Sequence, residues 1–373
     1  MRTAFVSTII DYPWGGADFL WTRAAEAAVE RGDSIFLAVS QEVAGHPRIA
    51  ALRACGAVVF IRSKESVPIS LGARLTRRFH CWFGTADPLV KALGRFRPDL
   101  VVFSCGATYD LAYFPGWINW LCSTRTPFRI IANWQMEQPV LPITEKERIL
   151  RLFAVAKTLC FVSTRNLENT RRHLHQDLPQ ARVVHNPLRW QETDKCAWPV
   201  SPPWNFATVS RLNTGKGIGL FLRAAALVLP RTDDWTINIH GVGPEELSLK
   251  TLTTDLGLQQ RVNFHGYVPD LRTIWGNNHL MVSPSLEDGV PMTIPEALLC
   301  RRPILATAVG GAEDWISDGV SGFISSAPSL ELFAQALQRA WAQRHHWETM
   351  GEAGAAATSE RYRPNDYLQI IER

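Results

Sequence analysis

The feature that most constrains this chain is a repeated alternation of short apolar, β-branched runs with segments of helical spacing. Thr3–Ile10, Ser34–Val39, Ala57–Ile61, Asp99–Phe103, Phe128–Ala132, Leu159–Val162 and Ala181–Val184 are runs of the first kind. After the first of them, residues 17–31 place Leu20, Ala24, Ala27 and Ala28 on one helical face, and Gly32 ends the segment. Continuous apolar strands separated by helices predict a parallel sheet covered on both faces. Residues 187–204 break the pattern: four prolines and no clear period give them the composition of a linker. The alternation then restarts with Phe206–Val209, Thr236–His240, Val262–His265, His279–Ser283, Pro303–Ala306 and Gly322–Ile324. The expected fold is therefore α/β, with two doubly wound Rossmann-like domains divided near Asn186–Pro202. Ligands of such sheets sit beyond the carboxyl ends of the strands, so both halves would offer loops to a central cleft.

The length of 373 residues agrees with two domains at roughly 150 residues each. With 39 Lys and Arg against 35 Asp and Glu, the net charge of +4 admits anionic substrates but excludes the dense basic field of a nucleic-acid binder. A hydrophobic share of 46% excludes a disordered chain. The seven cysteines (55, 81, 105, 122, 160, 196 and 300) form no C-x-x-C pair and no zinc spacing, which predicts buried, reduced thiols and a cytoplasmic protein. The amino-terminal apolar run is broken by Ser7 and Thr8, so it reads as a first strand rather than a leader. No run reaches the ~18 apolar residues of a membrane span. Fourteen tryptophans are the oddest entry in the composition.

Three segments carry candidate chemistry. Gly15-Gly16 follows the first strand and precedes a helix, where backbone amides can approach a phosphate or sugar; a plain strand-to-helix turn explains the pair equally simply. Arg211 and Lys216 lie on a glycine-containing loop after the first strand of the second half. Two cations five residues apart can straddle a diphosphate, although most such pairs are solvated basic turns. Asp288 and Glu296, seven residues between them, bracket a strand–loop–helix junction at which the amides of Met292 and Thr293 can face an anion. A carboxylate there suits sugar hydroxyls; the blander reading is that Glu296 complements the helix dipole.

The ordered motifs SLEDGVPMTIPEA, RRPILAT, VGGAED and SDGVSGF, with SRLNTGKG, HGVGPEEL, NFHGYVPDL, VHNP and Gly15-Gly16, resemble the retaining glycosyltransferases of family 4. They run over nearly the whole chain and are densest from 206 to 325. The resemblance implies the GT-B fold, with an acceptor-binding domain at 1–187, a nucleotide-sugar-binding domain at 188–356, and a helix over about 357–373 that crosses back to the first domain. It implies a nucleoside-diphosphate sugar, UDP- or GDP-linked, as co-substrate, whose sugar moves to a hydroxyl of a glycan, lipid-linked glycan or small-molecule acceptor, with no bound cofactor and no metal. Arg211 and Lys216 match the pyrophosphate-binding pair, and Glu296 the acid that holds the ribose. Asp288 stands where the acid contacts the transferred sugar, with Gly289, Met292 and Thr293 beside it. Gly16 matches the loop glycine close to the donor, and Tyr267-Val268 the segment packed on the base.

Two departures stand out. The first acid is Asp288 rather than Glu, with Glu287 beside it; spacing to Glu296 favours Asp288. Many relatives carry a His after an N-domain strand, whereas this chain has Asn133, Trp134 and Gln135 and no His between 81 and 172. Trp14 and Trp134 are candidates for sugar stacking on the acceptor side. Residues 71–83 alternate Leu71, Leu75, Phe79, Trp82 and Phe83 with Arg74, Arg77, Arg78 and His80. That pattern fits peripheral contact with the inner face of the cytoplasmic membrane and delivery of a lipid-linked or glycan acceptor, and fits a helix packed on its own sheet at least as well. The other function classes weighed are a sugar-nucleotide epimerase, against which the missing His argues, and a non-catalytic nucleotide-sugar-binding protein.

Overall fold

The computed structural model describes residues 1–9, 14–62, 87–134, 141–188 and 196–372. The basic stretch 71–83, Gln135 and Cys81 lie outside the described residues. The chain forms two compact units, one of residues 1–187 with 363–373, the other of residues 188–362.

The first unit holds a parallel sheet of seven strands: β1 (Arg2–Ser7), β2 (Ser34–Ser40), β3 (Val58–Arg62), β4 (Leu100–Ala107), β5 (Phe128–Trp134), β6 (Thr158–Phe161) and β7 (Ala181–Val183). Their order is β3-β2-β1-β4-β5-β6-β7, which turns outward in both directions from the β1/β4 pair. The second holds six parallel strands: β8 (Trp204–Val209), β9 (Trp235–His240), β10 (Val262–Gly266), β11 (Leu280–Ser283), β12 (Ile304–Thr307) and β13 (Gly322–Ser325). The order β10-β9-β8-β11-β12-β13 repeats the reversal at β8/β11. Both sheets are the doubly wound parallel type expected from the alternation of apolar runs and helices.

Burial explains why these runs became strands. Val101, Val102, Phe103, Ile130, Ile131 and Phe161 are buried from both faces of the first sheet, and Phe206, Ile237, Ile239, Leu280 and Leu305 in the second. Each such side chain contributes about 1.5–3 kcal/mol on burial. The helix Gly16–Glu30 buries Leu20, Trp21, Ala24, Ala25 and Ala28. Ala27 is half-buried, because the stripe follows Ala25 and Ala28 instead. The thiols also differ in part from expectation: Cys105, Cys160 and Cys300 are buried, Cys122 and Cys196 half-buried, and Cys55 exposed on the turn after a short helix; all six are unbridged.

The carboxyl-terminal region departs from the single helix expected over about 357–373. The helix Trp347–Arg361 belongs to the second unit and stops there. Pro364 cannot donate a backbone hydrogen bond and disfavours helical geometry at Arg363, so the chain leaves the helix and ends in a 3-10 turn, Asp366–Ile370. That turn seals the first unit. Arg129 donates through Nη1 to the Gln369 carbonyl at 2.7 Å and through Nη2 to that of Glu372, while Tyr367, Ile370 and Ile371 are buried. The His185 amide donates to Asp366 at 3.3 Å, tying the departing strand end to the returning chain.

In the second unit, Arg302 is a fully buried guanidinium. It donates to the carbonyls of Trp275 (2.7 Å), Cys300 (2.8 Å) and Ala197, which fastens the segment after the linker onto the sheet. Burial pushes its pKa down to about 10.

Candidate functional site

The β8/β11 switch point gathers the strongest sequence candidates. β8 ends at Val209, and the loop that follows is shaped by Asn213, whose side chain accepts from the Lys216 amide at 3.2 Å. This turns residues Thr214–Lys216 into a 3-10 turn. Gly217 then takes φ +63°, and a β-carbon there would lie 1.9 Å from the Pro284 carbonyl oxygen. Only glycine allows the two loops so close. From the other side, the Leu286 amide donates to the Gly215 carbonyl at 2.8 Å.

That packing delivers Lys216 to Asp288. Lys216 Nζ donates to Asp288 Oδ2 at 2.5 Å, and the pair is largely but not wholly shielded from water. Ser285 Oγ donates to the same oxygen at 3.1 Å, and the Gly289 amide to Oδ1 at 2.9 Å. Glu287, the neighbouring acid, is exposed and its stem packs beside Gly215 instead. Gly310, at φ +57°, lets the 309–311 turn rest on the backbone of Asp288 and Gly289, and the Gly311 amide donates to the Gly289 carbonyl at 2.8 Å.

The other candidates spread around this pair. Arg211 stands exposed just past β8 and forms no ion pair among the described residues. Met292 is buried and Thr293 half-buried at the start of the helix Thr293–Leu299. Glu296, in that helix, is fully buried at 0% exposure. Tyr267 is 72% exposed, whereas Val268 packs on the core beside Leu271 and Trp275. Sequence reasoning passed over a stacked pair at the neighbouring strand ends: the rings of His240 (β9) and His265 (β10) lie 4.6 Å apart at 11°. Burial, with His265 adding to it, pushes the His240 pKa down to about 4.

At the β1/β4 switch point of the first unit, Gly15 caps the helix Gly16–Glu30 and donates its amide to Asp18 Oδ2 at 3.0 Å. Burial raises the Asp18 carboxyl pKa, against the pull of the Gly15 amide and Trp21 indole bonds. One face of the Trp14 ring is covered by His46, stacked at 3.5 Å. Asn133 is buried in β5 and donates to Ser104 Oγ (3.1 Å) and the Cys105 carbonyl (2.8 Å), and its own Oδ1 has no partner among the described residues. Trp134 follows, half-buried, its carbonyl accepting from Thr108. A cluster unseen in the sequence lies close by: Thr8 Oγ1 donates to Asp110 Oδ2 at 2.7 Å, and burial raises the Asp110 pKa. A short 3-10 turn after β4 carries Asp110, which no periodicity marks.

Residues 204–343 match the family Glycosyl transferases group 1. The lipopolysaccharide core biosynthesis mannosyltransferase LpcC of Rhizobium leguminosarum bv. viciae is 31% identical over 132 residues, 34% of this chain and 38% of that protein. The alpha-D-kanosaminyltransferase of Streptomyces kanamyceticus is 28% identical over 159 residues, 41% of this chain and 40% of its own length. The chain thus spans about two-fifths of the length of the curated relatives it matches. Among solved structures, Anabaena HepE in complex with UDP aligns over 100% of this chain and 98% of its own with a TM-score of 0.73 at 18% identity. The apo lipopolysaccharide outer core galactosyltransferase WaaB aligns over 100% and 98% with a TM-score of 0.70 at 17% identity. Residues 204–343 of the second unit are thus similar to the Glycosyl transferases group 1 family, and the chain has the GT-B fold.

Proposed function

We propose that the chain is a hexosyltransferase that moves a sugar from a nucleoside-diphosphate sugar to a hydroxyl of a glycan or lipid-linked glycan acceptor. The observation that carries this reading is the Lys216–Asp288 pair at the β8/β11 switch point, 2.5 Å apart and cradled by amides and glycines. A nucleoside diphosphate departs when its developing charge is neutralised, and the mobile cation of Lys216 with the exposed guanidinium of Arg211 can supply that without a metal. In this reading Lys216 exchanges Asp288 for the diphosphate, which frees the Asp288 carboxylate for the hydroxyls of the transferred sugar. Glu296 takes the ribose; since it is sealed from solvent, the side chains that cover it have to yield on binding. Gly289, Met292 and Thr293 supply amides, and Tyr267 with Val268 borders the base. HepE is named in its structures with UDP and with UDP-glucose, which favours a uridine donor here and leaves GDP as the alternative.

The second unit is on this proposal the donor half. The first unit is the acceptor half, with Trp14, Asn133, Trp134 and Gln135 on the acceptor side, while its Gly15 and Gly16 offer backbone amides to the donor. An amide at position 133 holds a hydroxyl without acting as a base, which fits a retaining reaction in which the acceptor attacks from the leaving-group face. Supporting the glycan acceptor is the naming of LpcC for lipopolysaccharide core biosynthesis. No helix among the described residues is long and apolar enough to cross a membrane. The test is a screen of nucleotide sugars for nucleotide release, with and without chelator, followed by assignment of the product anomer by NMR. Failure to release nucleotide from any UDP- or GDP-sugar with bacterial glycan acceptors would sink the proposal; release abolished by EDTA would remove its metal-independent part.

A further inference from the structure

A cavity of about 370 Å³ opens in the second unit, lined by Trp198, Ser201, Pro202, Trp204, Arg344, His345 and Glu348. Trp204 opens β8 while Arg211 follows its end, so seven residues of extended chain put the cavity about 20 Å from the donor loops. None of its lining residues belongs to the switch-point cluster.

Its walls combine flat rings and unused polar groups. Trp198 is backed by the Arg302 guanidinium, 5.0 Å from the ring centroid, and meets the edge of His279 at 5.4 Å. Trp204 is steadied by His279, His345 and Trp347 at 5.2, 5.3 and 5.5 Å. Both indoles are half-buried, so each keeps some surface for a ligand. Rings already held in place lose little freedom on binding. Arg344 donates through Nη1 to the Trp341 carbonyl at 3.1 Å, yet its Nε is buried without a partner. The side chains of Ser201, His345 and Glu348 make no hydrogen bond or salt bridge among the described residues.

The charge balance narrows the ligand. Arg344 is offset by Asp233 at 3.6 Å, and Arg302, beneath Trp198, by the nearby Glu348 carboxylate. On the cavity wall itself Arg344 and Glu348 supply one cation and one carboxylate, so the lining presents no net charge to attract a phosphate. A purely apolar ligand would strand the Ser201 hydroxyl and the Glu348 carboxylate. A neutral polyol with apolar ring faces satisfies both sets of groups, stacking on indole while its hydroxyls meet Arg344, Ser201 and Glu348.

We propose that this cavity is a binding site for a neutral oligosaccharide, separate from the donor loops. It holds a glycan chain by one or two sugar units away from the reacting end. The inference does not depend on the donor-site reading, since none of its residues is shared.

The experiment is an array of neutral bacterial and plant oligosaccharides probed with the labelled full chain, followed by tryptophan-fluorescence titration of each ligand found. Binding that weakens at least about tenfold in both Trp198→Ala and Arg344→Gln, with UDP and GDP affinity unchanged, is the expected result. Glu348→Gln, at an exposed position, serves should Trp198→Ala fail to fold, and is expected to weaken the same ligand. The proposal is overturned if the wild-type chain binds no neutral oligosaccharide, if binding survives these substitutions, if UDP or GDP displaces the glycan, or if only phosphorylated ligands bind.

Discussion

Lys216 and Asp288, 72 positions apart in the chain, meet in a 2.5 Å ion pair that exists only because Gly217 and Gly310 let three loops close on each other. The pair is partly exposed, so its direct worth to stability is small, under about 1 kcal/mol. Its value is positional: it stores a cation at the spot where the proposal needs one.

Replacing that cation is the sharpest check. Lys216→Ala is expected to lower kcat for transfer by about 10²–10³ while the melting temperature stays within a few degrees of wild type. Glu296→Gln, which keeps shape in a sealed site, is expected to raise the donor KM strongly. Steady-state kinetics beside circular dichroism separates the two effects; wild-type rates in Lys216→Ala would refute the assignment.

Backbone strain gives a second, independent test. At Gly217 and Gly310 the left-handed conformation alone costs a side chain about 1–3 kcal/mol, and the backbone oxygens at 1.9 and 2.2 Å add to it. Gly215→Ala meets only the flexible Glu287 stem at 3.2 Å and should cost much less. Urea titration of the three alanine variants should rank Gly215 well below the others; equal losses would contradict this account of the loops.

Two histidines predict an acid limb. His279 is fully buried, its Nδ1 accepts the Asn205 amide at 3.0 Å, and burial pushes its pKa down to about 4, as for His240. An unfolded histidine titrates near ~6.5. The folded chain therefore binds fewer protons than the unfolded one between these values, and stability falls as pH drops from about 6.5 to about 4. The loss is at most about 3 kcal/mol for each group. Urea midpoints at pH 7.5 and 5 measure it, and His279→Gln with His240→Gln should flatten the difference. Equal wild-type midpoints at the two pH values would dismiss the idea.

The returning tail invites truncation. Ending the chain after Tyr362 removes the buried Tyr367, Ile370 and Ile371 and leaves Arg129 without its carbonyl partners. Buried apolar side chains are worth about 1.5–3 kcal/mol each, so the first unit should lose several kcal/mol. Hydrogen exchange should report lost protection in β1, β4 and β5 with β8–β12 unchanged; uniform protection would count against it.

The strands were readable because parallel strands buried on both faces have to be continuously apolar, and Leu100–Phe103 or Leu280–Val282 can be little else. The carboxyl-terminal helix was misjudged where Pro364 overrode the pattern. Site geometry was harder. Spacing to Glu296 favours Asp288 over Glu287, but that Asp288 turns toward Lys216 depends on which side of the loop faces Gly215, a matter of tertiary approach. Asp110 and the His240–His265 stack left no trace in periodicity, since their neighbours meet through sheet order. Arg302 stands in the sequence only as part of the RRPILAT motif, yet backbone carbonyls hold its guanidinium fully inside.

The first unit is closed by residues 363–373, and the second is wholly contained between positions 188 and 362. On a ribosome, the later half therefore has all its residues before the earlier half has its last turn. The second unit can finish folding first, while β1 to β7 wait, lacking the side chains of Tyr367, Ile370 and Ile371. The half that is begun first is thus the half completed last, and a stall late in translation would leave it without its closing turn.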